Sequence, residues 1–330
     1  MAKGLLKKSI ICLGIILFWG LFFLFGATTV VFRGPSPAAR DLAVSTLMET
    51  SAAKFVVRLF FSEAEINTIL AKNAVVVSDV VTDSQLVHIP AEKDHFNLDA
   101  ITIEDVSGST FKGKMMIVND PGRLYVATPA TFGQESGGLR VEEMVRRDGA
   151  AAGINAGGFE DENGVGNGGT PLGIVIQNGK ITFGNPSAYT IVIGFDRENK
   201  LVVGSMTGTQ ALARGIRDAV SFITPALIVN GKAANILGTG GGLNPRTAIG
   251  QRADGAILLL VIDGRQAHSI GANYKDLIDV MLQYGAVNAA NLDGGSSTLM
   301  VYNNEILNVC ASLYGSRKLP TAILVRQVAS

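Results

Sequence analysis

The sequence predicts an α+β protein, a mixed β-sheet with packed helices, preceded by an N-terminal transmembrane helix. Three observations carry that expectation. An uncharged apolar run fills residues 10–32 and stops at Arg33. Within 41–73, Leu42, Leu47, Phe55, Val56, Leu59 and Phe60 recur at helical spacing. From Met115 onward, short apolar runs alternate with turn residues and only a few helical stretches, the pattern of a sheet-based domain.

The apolar run follows Lys3, Lys7 and Lys8, and its length is about what a helix needs to cross a ~30 Å hydrocarbon core. The basic flank belongs in the cytoplasm, which places everything after Arg33 outside. A cleaved signal peptide is the competing reading. Against it, Gly26-Ala27-Thr28 is a poor small-residue site and the run exceeds the usual signal core. Gly34-Pro35-Ser36-Pro37 reads as a linker. The expected organisation is a cytoplasmic tip and anchor over 1–33, a linker with a helical and β accessory region over 34–110, and a main domain over 111–330. The expected location is the cell membrane, single-pass, with that main domain extracytoplasmic.

Composition narrows the classes of function. Of 330 residues, 47 % are apolar and 17 % charged, enough for a large core and incompatible with bulk disorder. The 28 basic and 28 acidic residues cancel, so no basic surface for nucleic acid is expected. Cys12 and Cys310 lie too far apart in role to form a disulfide framework, and His88, His95 and His268 are too few for a Cys/His metal cluster. Many of the 39 glycines fall in three polar clusters, where backbone must turn sharply or approach a ligand.

Along the chain, Ser62 and Glu65 form a capping-box signature for a helix through Leu70. Residues 75–89 are β-rich, and 91–105 carry a weaker pattern of the same kind. Residues 139–147 read as a helix stopped by Gly149. The Asn-Gly pair in Gln177-Asn178-Gly179 marks a hairpin, and 191–195 with 201–203 suggest a second. The unbroken apolar run 256–262 suits a strand buried on both faces. A helix over 274–284, with Leu277, Ile278, Met281 and Leu282 inward, leads to a strand ending at Leu292. A last hairpin turns at Asn303-Asn304. Residues 149–155 and 285–291 echo one another: each follows a helix, is rich in small residues and ends in Asn ahead of a Gly-Gly pair. Either helix-to-strand joints simply favour glycine, or two related units deliver polar strand ends to one crevice.

Three strings could carry chemistry. In Asn291-Leu292-Asp293-Gly294-Gly295-Ser296-Ser297-Thr298, a carboxylate leaves a buried strand and meets two glycines and three hydroxyls. Gly294 and Gly295 would let backbone N–H groups face an anion, with Ser296 and Ser297 adding donors. Asp293 would then serve as nucleophile, general base or metal ligand; an ordinary tight turn is the plain alternative. In Asn244-Pro245-Arg246-Thr247-Ala248-Ile249-Gly250, Arg246 offers a planar fork suited to phosphate. Asp263 ends the following strand. If that strand and the one ending at Leu292 are parallel, a helical crossover puts Asp263 and Asp293 at one sheet edge. A surface ion pair for Arg246 and a turn role for Asp263 are the plain readings. The third string runs Asn155-Ala156-Gly157-Gly158-Phe159-Glu160-Asp161-Glu162-Asn163-Gly164. Its acidic residues suit a calcium or magnesium ion, although no calcium-loop spacing is present and a solvated acidic loop reads more naturally. Glu160 is a candidate acid/base. Gly238-Thr239-Gly240-Gly241-Gly242 lacks the features of a nucleotide loop.

These strings together resemble the phosphodiester glycosidase family. The likeness runs from about Phe111 to Gln327, beginning at Val118-Asn119-Asp120-Pro121-Gly122-Arg123. It continues through Ile154-Asn155-Ala156-Gly157-Gly158-Phe159, the Asn244–Gly250 string, Asp263-Gly264-Arg265 and Asn291-Leu292-Asp293-Gly294-Gly295-Ser296-Ser297. Order and approximate spacing match throughout. Many relatives carry three glycines after the Asp where this chain has two, and the disulfide-rich additions of the best-known member are missing. The resemblance implies a mixed α/β domain that cleaves between a sugar's anomeric carbon and phosphate. The candidate catalytic residues are Asp293, Arg246, Asp263 and Glu160. The candidate substrate-binding residues are Asn155, Gly157, Gly158, Thr247, Asn291, Gly294, Gly295, Ser296 and Ser297, with a divalent cation, calcium or magnesium, as an optional cofactor suited to the acidic loop. An envelope glycan or exopolysaccharide joined through phosphate is the expected partner. A non-catalytic envelope protein binding phosphorylated glycans through the same loops is the rival.

Overall fold

In a computed structural model, residues 2–76, 80–89, 97–223, 226–312 and 314–328 are described. Seven α-helices occur among them: α1 (Ala2–Arg33), α2 (Pro37–Met48), α3 (Lys54–Arg58), α4 (Glu63–Lys72), α5 (Val141–Asp148), α6 (Gly208–Ala213) and α7 (Tyr274–Gln283). Three sheets complete the α+β architecture. The first has seven strands in the order β1 (Ile101–Ser107), β2 (Lys112–Val118), β13 (Ile257–Ile262), β12 (Arg246–Arg252), β14 (Ala286–Leu292), β10 (Ala226–Val229) and β11 (Lys232–Ala233). The second runs β16 (Glu305–Ile306), β15 (Met300–Tyr302), β4 (Ala152–Asn155), β17 (Ala322–Val325) and β3 (Leu124–Ala127). The third runs β6 (Lys180–Phe183), β5 (Val175–Gln177), β9 (Ile216–Ser221), β7 (Tyr189–Asp196) and β8 (Leu201–Thr207).

The sheets converge on one core. Met116, Ile249, Leu259 and Leu292 from the first, Ile154 and Ile323 from the second, and Ile193, Phe195 and Val220 from the third pack together. Each sheet then takes a helix on its other face: α7 covers the first, α5 the second and α6 the third. The run 257–262 is buried throughout for this reason. Ile257, Leu259 and Val261 face the common core, while Leu258, Leu260 and Ile262 face the α7 side.

Turn chemistry behaves as its residues demand. Asn178 and Gly179, at φ 50° and 72°, close the β5–β6 hairpin, and Asn303 and Asn304, at 50° and 65°, close β15–β16. Gly149 ends α5 in the left-handed region at φ 60°, and Ser62 with Glu65 completes a capping box on α4. The second expected hairpin is β7–β8. Residues 75–89 depart from expectation, because no strand forms in their described part. Val75 makes an isolated bridge to Ile236, residues 84–86 turn as a 3-10 helix, and Thr82 exchanges two hydrogen bonds with Val203. Its β-branched residues strap the third sheet without extending it. His95, with 91–96 of the weaker β pattern, lies outside the described residues. The β1–β2 hairpin spans position 110.

Residues 37–72 form a helical cap. Phe32, at the end of α1, is buried among Val44, Val57, Phe61, Ile66 and Ile69. Residues 9–33 are long and apolar enough to cross a membrane, and the most apolar stretch of that span is not buried in the protein. Phe32→Ala is expected to destabilise the cap by about 3–5 kcal/mol. Hydrogen exchange should then show residues 37–72 losing protection while β12–β14 keep theirs; unchanged protection in the cap would contradict the assignment.

Candidate active site

The site grows from one edge of the first sheet. β12 is antiparallel to both β13 and β14, with Arg246 opposite Ile262 and Thr247 opposite Leu292. The strands ending before Asp263 and Asp293 are therefore parallel, though separated by β12. The ends of β13 and β14 and the start of β12 share an edge. The second sheet delivers the end of β4 to the same place. Asn155, fully buried there, donates to the Asp293 carbonyl at 2.5 Å and accepts from Thr247 Oγ1 at 2.8 Å and Leu299 N at 3.0 Å. The Asp293 N–H returns a bond to the Ala156 carbonyl at 2.9 Å. The echoed strands thus meet at one crevice, and Asn155 and Thr247 act beneath it as a clamp. Gly157 and Gly158 press against the end of β9 beside the crevice, with their N–H groups on Thr321 Oγ1 and the Ser221 carbonyl. Asn291 is buried and donates to the Leu292 carbonyl at 2.8 Å.

The cleft above this edge encloses about 410 Å³ and is lined by both Asn291 and Asp293. Gly295 takes φ 61°, and a side chain at Gly294 would meet the Pro245 carbonyl at 2.8 Å. Both glycines thus have a local cause. Ser296 needs no such freedom and points its Oγ to within 3.5 Å of Arg317, which accounts for a hydroxyl where a third glycine was expected. The Gly295 N–H is used by the Pro245 carbonyl and the Ser297 N–H by the Gly294 carbonyl. The turn is therefore less open to an anion than its glycines suggested.

Three guanidinium groups and three carboxyls face the cleft. Arg246 is already committed: Nε donates to the Ala272 carbonyl, and one terminal nitrogen donates to the Gly242 carbonyl and to Glu49 Oε2 at 2.7 Å. Its plane also stacks 4.2 Å over Tyr274. Arg317 makes a two-pronged pair with Asp161 at 2.6 and 2.7 Å. Although burial opposes it, that pair and the Gly166 N–H hold the Asp161 carboxyl below its usual range. Arg265 is different. Among the described residues it has no ion-pair partner, and it donates to Asn244 Oδ1 at 3.1 Å. Burial, then the neighbouring Arg246 charge, push its pKa down. It also sits at φ 59°, a conformation uncommon for a side chain of that size.

Asp293 is the matching odd carboxyl. Its Oδ2 is buried without a hydrogen-bond partner. Burial pushes its pKa up to about 7, against the pull of Ser297, Arg317 and the Gly294 N–H. One carboxyl held ionised beside another able to hold a proton near neutrality is the arrangement acid–base chemistry uses.

Glu160 and Asp263 lie outside the cleft lining. Glu160 is exposed, 3.4 Å from Gln134 Nε2, while its neighbour Asp161 turns inward to Arg317. Asp263 accepts from Val309 N and Asn308 Nδ2 and so fastens the loop after β16. Arg265, Arg317, Asp161 and Glu49 were not singled out from sequence. Glu49 caps the end of α2 and accepts from Gly242 N, Asn244 Nδ2 and Arg246. The glycine cluster 238–242 explains how it arrives: a side chain at Gly242 would stand 2.4 Å from the Thr46 backbone. For a divalent cation the acidic loop fits poorly, since Asp161 is already neutralised by Arg317. Among the described residues, no three His, Cys, Asp or Glu side chains converge.

Residues 148–326 match the family model described as phosphodiester glycosidase. A 177-residue stretch is 28 % identical to the SPbeta prophage-derived uncharacterized protein YomE of Bacillus subtilis strain 168, covering 51 % of this chain and 27 % of that protein. Over 183 residues it is 26 % identical to the N-acetylglucosamine-1-phosphodiester alpha-N-acetylglucosaminidase of Bos taurus, covering 50 % and 34 %. The chain thus spans about a third or less of these curated relatives. The solved catalytic domain of the zebrafish N-acetylglucosamine-1-phosphodiester alpha-N-acetylglucosaminidase, auto-inhibited by its pro-peptide, superposes with a TM-score of 0.57 at 19 % identity. That likeness covers 72 % of this chain and 87 % of the other, and it shows a shared fold.

The raised Asp293 pKa has a thermodynamic signature. Between its ordinary 3.8 and about 7, the native state holds a proton that the unfolded chain has released. The associated stability is full below about pH 4 and is lost as the pH rises through 7. Asp293→Asn should flatten that decline, seen as urea midpoints of the full chain in detergent that vary less with pH than the wild type's. Identical pH slopes would place the carboxyl in a solvated setting.

Proposed function

Because the chain belongs to the phosphodiester glycosidase family, we propose that it hydrolyses a sugar-1-phosphodiester between the anomeric carbon and phosphate. The substrate would be an envelope glycan or exopolysaccharide unit, met outside a cell membrane in which α1 is the anchor. The observation that carries this reading is the charge arithmetic of the cleft. Arg246 is matched by Glu49 and Arg317 by Asp161, which leaves Arg265 and Asp293. An incoming phosphodiester carries the single negative charge that Arg265 lacks, and Asp293 is the group able to exchange a proton.

In the proposed reaction, water attacks the anomeric carbon and its proton passes to ionised Asp293. The bond from that carbon to the phosphate oxygen breaks, and the electron pair leaves with the phosphomonoester. Products are free sugar and phosphomonoester, and the proton on Asp293 returns to solvent. Phosphate leaves more readily than an alkoxide, so stabilising its charge outweighs protonating it. Arg265 is placed for that task, with Ser296 and Arg317 close to the same turn. Arg246 acts at one remove: it fixes Glu49, Glu49 holds Asn244, and Asn244 holds Arg265.

A panel of sugar-1-phosphodiesters tests the reading. The wild type should release free sugar and phosphomonoester, with activity rising through about pH 7, where Asp293 ionises. Folded Asp293→Asn should lose about 10²–10⁴-fold in turnover, and Arg265→Ala about 10²–10³-fold. Tight binding of these diesters without any turnover would instead make the chain a glycan-binding protein.

A further inference from the structure

Beside the cleft, the helical cap carries an apolar surface that nothing among the described residues covers. Phe55 and Leu59, four residues apart and on one face, are 63 % and 74 % exposed. Lys54 and Arg58 flank them, with Arg58 paired to Glu63 at 2.8 Å. Two large apolar residues among cations is the pattern of a segment lying in a lipid headgroup region.

Position supplies the second argument. Phe60, the next residue, packs against both Phe25 and Phe32 of α1, with ring centroids 5.7 and 5.2 Å apart. Arg33 donates to the Phe60 carbonyl and lies over the Phe61 ring. Phe25 belongs to the apolar span Ser9–Arg33, roughly 12 Å of helix inward from Arg33. The exposed face is therefore continuous with the segment that crosses the membrane, at the depth of its outer end. The cleft is equally near. Ser51 and Ala52 line it, and from Ala52 to Phe60 is one short helical path of about 12–16 Å. Ile223, 77 % exposed, adds an apolar residue to the same rim.

We propose that the face carrying Phe55 and Leu59 seats in the outer-leaflet interface, so that the cleft opens onto the bilayer and takes a phosphodiester whose aglycone is a lipid of that leaflet. The lipid half rests on the phosphodiester reading above, and the docked face rests on α1 crossing the membrane.

Full-length chain with Cys12→Ser and Cys310→Ser, reconstituted in phosphatidylcholine–phosphatidylglycerol vesicles, separates these points. A fluorophore is placed at Phe23→Cys, Leu59→Cys or Glu198→Cys and challenged with nitroxide-bearing lipids. Glu198 sits in the β7–β8 turn, at the far end of the third sheet from Phe222 and the cleft. Quenching at 23 and 59 but not at 198 is the expected result. Quenching at 23 alone overturns the docked face while leaving the span intact, and no quenching at 23 removes both. A sugar-1-phospholipid in the same vesicles and a water-soluble sugar-1-phosphodiester complete the test. Phe55→Glu combined with Leu59→Glu should lower turnover of the lipid by roughly tenfold or more, about what losing one apolar anchor implies, with turnover of the soluble diester unchanged. Wild-type turnover of the soluble diester alone would overturn the lipid half. Turnover of neither, with Leu59 quenched, would sink the phosphodiester reading and leave the docked face standing.

Discussion

The Asn155 side-chain amide is the joint on which the site depends. Its oxygen accepts from Thr247 and Leu299, and its nitrogen donates to the Asp293 carbonyl, so one buried group fastens the second sheet to the first. All three partners are satisfied inside the core, where an unpaired polar group is costly. The backbone of Asp293 is thereby fixed before any ligand arrives. Its carboxyl, by contrast, is left under-satisfied, and that imbalance gives it a proton near neutral pH. Rigid placement and incomplete solvation come from the same small region.

A second chain of contacts sets the cations. Glu49, from a helix outside the segment that matches the family, reaches Arg246 and Asn244, and Asn244 steadies Arg265. The helical cap is thus part of the site's electrostatics as well as its walls. The Gly242 close approach is what lets α2 sit near enough for this.

Local signals in the sequence located most of the framework. The Asn-Gly hairpin, the Ser62–Glu65 cap, the buried run 257–262 and the shared edge of Asp263 and Asp293 all depend on neighbours or on strand ends, which the chain spells out. What sequence could not show was which way a side chain turns. Glu160 and Asp161 are adjacent, and the folded loop sends one outward and the other to Arg317. Arg246 reads as the phosphate binder in sequence, and only the tertiary partner Glu49 shows it to be committed while Arg265 is left spare. Residues 75–89 have strand-forming chemistry, but their backbone N–H groups go to scattered partners, Asn235, Val203 and Ala253, instead of running along one edge strand. Glu49 was invisible because its role exists only after a helix far from Arg246 in sequence folds onto the glycine cluster.

Leaving a single cation unmatched also shapes how a catalytic cycle would end. Cleaving the diester turns a phosphate with one negative charge into a monoester with up to two, while Arg265 and its neighbours stay fixed. The monoester then carries more negative charge than the one unmatched cation of the cleft balances, with the Asp293 carboxyl beside it. The arrangement that admits a singly charged diester would thus favour departure of the doubly charged product.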